Sequence, residues 1–309
     1  MASDLKRRFL LDVRGPVFPI PTPFTEDGDV DYKAIDTYVG FLLRQGARTL
    51  MVTVGTSRFD VLTVDEMKKV NERVVQAVQG KAVTIVTTPT NGPTLQTIDF
   101  ARHAQDTGAD AILAVYPERY YSDDDVFHFF EDIASACSIG VLIHLMPIRA
   151  GHSRAGVQVH YAPDLVERIA AIGNVVGIKE ESHDGGLAYK YSRLFVDQIA
   201  VIGGAGGMRA YLSAYQWGQR AYLVGIGSCV PEIELAFYAA LEKGDYETAR
   251  RIVFEKEEPF FEAAVKVGWH PALKAGLEAR GLMKAWERKP MNRLNQEDRK
   301  FIADLASRI

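Results

Sequence analysis

The 309-residue chain is poor in cysteine, in long apolar runs and in clustered charge of one sign. Its two cysteines, Cys137 and Cys229, stand in apolar surroundings. They read as small buried hydrophobes in a reducing compartment and exclude a disulfide framework. No apolar run approaches the roughly 18 residues that a bilayer-spanning helix needs. The first eight residues lead into too few apolar ones for a signal-peptide core. The expectation is a cytoplasmic protein with no membrane partner. With 36 Lys and Arg against 40 Asp and Glu the net charge is −4. That balance, without a basic run, excludes nucleic acid as the expected partner. The 7 histidines are scattered, with no His/Asp/Glu group at ligand spacing, so no metal and no cofactor is expected.

What the chain does have is alternation. Short apolar runs predict strands over Pro16–Ile20, Thr49–Val54, Val83–Thr87, Ala111–Val115, Gly140–Leu145, Val175–Lys179, Ala200–Gly203 and Ala221–Gly225. Amphipathic stretches between them predict helices, among them Tyr32–Arg44 behind an Asp31 N-cap and Val64–Val78 behind a Thr63–Glu66 capping box. Eight strand–helix repeats predict an α/β protein with a (β/α)8 TIM barrel over residues 1–243. A doubly wound open sheet would carry a Gly-rich phosphate loop after its first strand; here that position reads Pro21-Thr22-Pro23-Phe24. Residues 244–309 predict a C-terminal helical extension through Tyr246–Val267, Pro271–Arg280 and Gln296–Ser307, forming one structural unit with the barrel.

The most informative residue is Lys179, which closes the run Val175-Val176-Gly177-Ile178 and precedes Glu180-Glu181. An ammonium at the end of an apolar strand is costly to bury without a partner. One reason to keep it there is chemistry, since a desolvated lysine gives up its proton more readily and can attack a carbonyl to form a Schiff base. Poising a lysine near neutrality from an ordinary pKa of 10.4 takes about 4 kcal/mol of selective destabilisation of its charged form. The alternative is a strand-end lysine that snorkels into solvent and pairs with Glu180 or Glu181. In a barrel the reactive groups lie at the C-terminal ends of strands, which is where Lys179 falls. Two-residue alternation predicts that Gly177 and Val175 share its face, with Val176 and Ile178 opposite.

Several motifs in this order resemble the dihydrodipicolinate synthase and N-acetylneuraminate lyase superfamily of class I Schiff-base lyases. Pro19-Ile20-Pro21-Thr22-Pro23-Phe24 with Asp27-Gly28-Asp29-Val30-Asp31 is similar to its first strand and the turn that follows. Gly177-Ile178-Lys179-Glu180 resembles the strand carrying its Schiff-base lysine, and Pro147-Ile148-Arg149-Ala150-Gly151 the loop after its fifth strand. Pro271–Leu282 and Lys289–Leu294 fit its C-terminal region. The resemblance runs from about Gly15 to Leu305. It implies Lys179 as the nucleophile toward pyruvate or another 2-keto acid. It also implies Gly55-Thr56-Ser57 as the turn that holds the substrate carboxylate through Thr56 and Ser57.

The chain departs from that pattern at several points. Where the family has glycine–glutamate after the turn, this chain has Arg58-Phe59-Asp60; Arg58 either adds a cation for a carboxylate or projects into solvent. The strand-five tyrosine that moves protons in the family is replaced by His144. An imidazole can serve as general acid or base, or be a core histidine bonded to a carbonyl. Tyr116, Tyr120 and Tyr121 lie out of register with the family's paired tyrosines. Gly204, in a Gly-rich turn after strand seven, either approaches a ligand with its backbone or makes a tight turn. The link from Gly151 onward, with His152 and His160, is long; it forms a lid, a subunit contact or a surface insertion. Arg149 is a candidate for a second acidic group on the substrate.

The reading is a lyase, an aldolase or dehydratase acting on a 2-keto acid or sugar acid, with Lys179 and His144 catalytic and Thr56, Ser57, Arg149 and Gly204 binding. The alternative is a non-catalytic or regulatory keto-acid-binding protein on the same scaffold. The resemblance also implies a homotetramer or homodimer.

Overall fold

A computed structural model describes residues 2–151 and 156–309. His152, in the long link, lies outside the described residues. Eight parallel strands close into a barrel in the order β1 (Gly15–Pro19), β10 (Ala221–Leu223), β9 (Ala200–Gly203), β8 (Val175–Glu180), β5 (Gly140–Leu145), β4 (Ala111–Ala114), β3 (Val83–Thr87) and β2 (Thr49–Val52). Helices alternate with them on the outside, α2 (Tyr32–Gln45) through α9 (Pro231–Glu242). The TIM barrel is thus present, and every expected strand lies within two residues of its place. β2 stops early because Thr53 turns left-handed at φ 54°. Its hydroxyl is held by the Val52 carbonyl and Asn71. The capping box at Thr63 and the Asp31 cap both form, with Asp31 accepting from the Ala34 N–H at 3.0 Å.

Three elements were not expected. Helix α1 (Ala2–Asp12) closes the lower mouth of the barrel, burying Phe9 and Val13 among Val17, Met51, Leu142 and Val176. After β5 a two-stranded antiparallel ribbon forms from β6 (Ile148–Arg149) and β7 (Gln158–Val159). The predicted helix over Tyr246–Val267 is interrupted by a π turn at Val253–Glu257, between α10 (Tyr246–Ile252) and α11 (Glu258–Val267). α12 (Trp269–Ala279) and α13 (Gln296–Ala306) complete the C-terminal helices.

β8 departs from simple alternation. Val141 pairs with Val175, but Leu142 pairs with Gly177, so β8 carries one extra residue there. Val176 therefore joins the barrel interior while Val175 packs outside among the helices, the reverse of the expected facing. Past the bulge Ile178 faces out and Lys179 faces in, level with His144 across the sheet. A Cβ at Gly177 would lie 2.8 Å from the Ala200 carbonyl oxygen. Only glycine fits at that crowded step.

Candidate active site

The C-terminal rims of the strands surround a cavity of about 610 Å³. Lys179 projects into it from the end of β8 and is almost wholly buried. His144, from the end of β5, and Glu181, one residue past β8, line the same space. Lys179 Nζ lies 3.1 Å from His144 Nε2 and makes a close ion pair with Glu181 Oε2. The same carboxylate oxygen lies 2.6 Å from His144 Nε2.

These distances fix the protons. Burial, followed by the Lys179 charge, outweighs Glu181 and drops the His144 pKa to about 4, so its imidazole is neutral at neutral pH. A carboxylate carries no hydrogen, so a nitrogen 2.6 Å away must supply one. The tautomer is therefore Nε2–H, which donates to Glu181 and cannot also accept from Lys179. Both Lys179 and His144 thus donate to one Glu181 oxygen. Nδ1 is left buried with no hydrogen-bond partner among the described residues. Burial alone would raise the Glu181 pKa, but the Lys179 charge and the His144 hydrogen bond hold it at about 2. The site rests as an ion pair steadied by a neutral imidazole.

Gly204 makes room for this group. A Cβ there would lie 2.7 Å from the Glu180 carbonyl oxygen and 3.2 Å from Lys179 Cγ. Its N–H is taken by that carbonyl at 2.6 Å. Glu180 itself turns away and accepts from the Ser182 N–H at 2.9 Å. Opposite, Glu257 accepts from the Met208 and Arg209 N–H groups at 2.8 and 2.9 Å, capping α8 (Gly207–Gln216) beside the cavity. Burial raises its pKa to about 7 against the pull of those two N–H groups. Phe59, Phe261 and Trp269 line the cavity as well.

The Dihydrodipicolinate synthetase family profile matches residues 12–309. The chain belongs to this family. A 4-hydroxy-tetrahydrodipicolinate synthase from Alkaliphilus oremlandii is 26% identical over 294 residues, covering 94% of this chain and 97% of its own. One from Psychrobacter arcticus is 27% identical over 253 residues, 81% of this chain and 79% of its own. In fold the chain is similar to N-acetylneuraminate lyase from Mycoplasma synoviae, with TM-score 0.83 at 22% identity over 96% of this chain and 97% of that one. It is equally similar to dihydrodipicolinate synthase from Oceanobacillus iheyensis, with TM-score 0.83 at 23% identity over 100% and 99%. Members of the Dihydrodipicolinate synthetase family are lyases, and membership makes this chain a carbon–carbon or carbon–oxygen lyase.

Within this Dihydrodipicolinate synthetase family member the expected site residues divide. Lys179, His144, Thr56 and Gly204 line one cavity. Ser57 does not: its hydroxyl is buried without a partner among the described residues, its N–H bonds the Val54 carbonyl, and its carbonyl accepts from Thr22 at 2.5 Å. Arg149 also stays out, exposed in the β6–β7 ribbon, where its carbonyl accepts from the Tyr120 N–H at 2.8 Å. Gly204 contributes space instead of a free N–H. Arg58 neither faces the cavity nor solvent; it is buried against Glu287 at 3.4 Å and Met291 Sδ at 2.9 Å. Tyr116 packs edge-on against Phe129, Tyr120 bonds Asp123 at 2.9 Å, and among the described residues no tyrosine lines the cavity. Glu181 was expected at most as a solvent-side ion partner. Its place two residues after Lys179, on the same side of an extended chain, was the available signal. No group of three His, Cys, Asp or Glu placed to hold a metal occurs among the described residues.

Proposed function

We propose that this lyase works through a Schiff base between Lys179 and pyruvate or another 2-keto acid. The observation that carries the reading is the Lys179 ammonium inside the cavity with its counter-ion and a neutral histidine on one carboxylate oxygen. Glu181 takes the ammonium proton, and the neutral amine attacks the ketone carbon. The carbinolamine loses water and becomes a protonated imine. That cation draws electrons from C3, so a C3 proton or a C3–C4 bond is lost as the enamine forms. The Nε2–H of His144 holds Glu181 in place through these transfers. Of Thr56 and Ser57, Thr56 lines the cavity, which supports it as the carboxylate's partner.

Aldol cleavage, condensation and dehydration share this adduct, and the reading covers an aldolase or a dehydratase. We also propose a homodimer or homotetramer built beside the ribbon, supported by the exposed Tyr121 and Val157. The unpaired thiols of Cys137 and Cys229 support a cytoplasmic setting.

The test is to incubate the protein with pyruvate and borohydride and weigh it. A mass increase that maps to Lys179 and vanishes in Lys179→Ala is the expected result. An unmodified protein with pyruvate and with a panel of other 2-keto acids would sink this reading and leave a binding protein on the same scaffold.

A further inference from the structure

Once a keto acid is joined to Lys179, its C3 has to meet whatever fills the rest of the cavity. Few hydrogen-bonding side chains there are free among the described residues. His144 and Glu181 are committed to Lys179, Thr56 to the keto-acid carboxylate, and both Glu257 oxygens to the start of α8. Of the side chains, what remains is Thr87, Thr90, His183 and Arg209. Arg209 sits over Phe261, its guanidinium carbon 3.5 Å from the ring centre.

The other surface is aromatic and aliphatic. Phe261 and Trp269 form a corner, ring centres 5.3 Å apart and planes 53° apart. Trp269 packs over the end of β10, where a Cβ built on Gly225 would lie in ordinary contact with the indole at 3.5 Å. Phe59, Met146 and Val224 continue this wall. A polyhydroxylated chain would leave water here for few partners, and each unpaired hydroxyl weakens binding. A third ring fits the tilted geometry in which aromatic pairs attract.

We propose that the carbonyl partner of the enamine is an aromatic aldehyde, seated between Phe261, Trp269 and Met146; this rests on the Schiff-base reading above. In the condensing direction the pyruvate imine loses a C3 proton to Glu181, and the enamine C3 forms a bond to the aldehyde carbon. The carbonyl π electrons move to oxygen, which takes the proton back from Glu181. Water then hydrolyses the imine, freeing Lys179 and a 4-aryl-4-hydroxy-2-keto acid. The reverse sequence is the cleavage.

The experiment uses the native chain with pyruvate and either benzaldehyde or glyceraldehyde, with product followed by mass spectrometry. Borohydride trapping is run beside it. The expected result is a pyruvate adduct, a kcat/KM for benzaldehyde at least about tenfold above that for glyceraldehyde, and a fall of about tenfold in that ratio in Phe261→Ala and in Trp269→Ala. Because the ratio is taken within one sample, partial unfolding of a variant cancels. An adduct with glyceraldehyde preferred, or a ratio unmoved by both variants, overturns the aromatic assignment alone. Absence of the adduct overturns the Schiff-base reading beneath it.

Discussion

Replacing Glu181 by glutamine tests the centre of the site most directly. The variant keeps the shape and one acceptor oxygen but removes the charge shared by Lys179 and His144. The native carboxyl titrates at about 2 against an ordinary 4.5. At roughly 1.36 kcal/mol per pH unit this comes to about 3 kcal/mol of stability. Because the folded value lies below the unfolded one, that contribution is present above pH 4.5 and is lost as pH falls through about 2. Urea unfolding of Glu181→Gln should therefore show a deficit of about 3 kcal/mol at pH 7 that closes in acid. The chemical effect is separate. Without a carboxylate to take the ammonium proton, trapping of pyruvate should slow by about a hundredfold or more. A variant that traps pyruvate within threefold of the native rate would falsify the assignment of Glu181 as the proton acceptor. Equal stability at pH 7 would refute the ion pair itself.

Other perturbations probe the surroundings. Since His144 titrates at about 4, from burial first and the Lys179 charge second, kcat/KM should show no break near pH 6.5; a break there, absent in His144→Gln, counts against the neutral tautomer. Gly204→Ala puts a Cβ 2.7 Å from the Glu180 carbonyl. It should cost about 1–3 kcal/mol in thermal or urea unfolding and slow adduct formation together. The Glu257 pKa is raised to about 7 by burial, so its favourable contribution is complete below pH 4.5 and lost as pH rises through 7. Native stability should fall by about 3 kcal/mol from this residue across that window. Glu257→Gln should flatten the slope, and an unchanged slope in urea titrations counts against it.

The barrel was legible because each strand is an apolar run bounded by a helix with its own cap, as at Asp31 and Thr63. Lys179 was legible because a cation at such a run's end conflicts with burial. The facing of Val175 and Val176 was not, since an inserted residue in β8 shows only when its partner strand is in place. That Ser57 and Arg149 stand outside the cavity was not legible, for a related reason. The turn at Gly55–Ser57 rotates successive side chains, so Thr56 meets the cavity and Ser57 does not. The ribbon that carries Arg149 pairs with residues beyond the loop. Phe261 and Trp269 sit on helices distant in sequence, and nothing local marks them as walls of the site.

The extra residue in β8 separates two demands on one strand. Its first half must satisfy the packed floor that α1 seals, and its second half must aim an amine upward. Beyond the extra residue the ladder is regular, so Lys179 takes the facing of its partner His144. The bulge takes up one residue of length between floor and rim, so the floor can be repacked at Val176 without re-aiming the amine, whereas Gly177 admits no side chain.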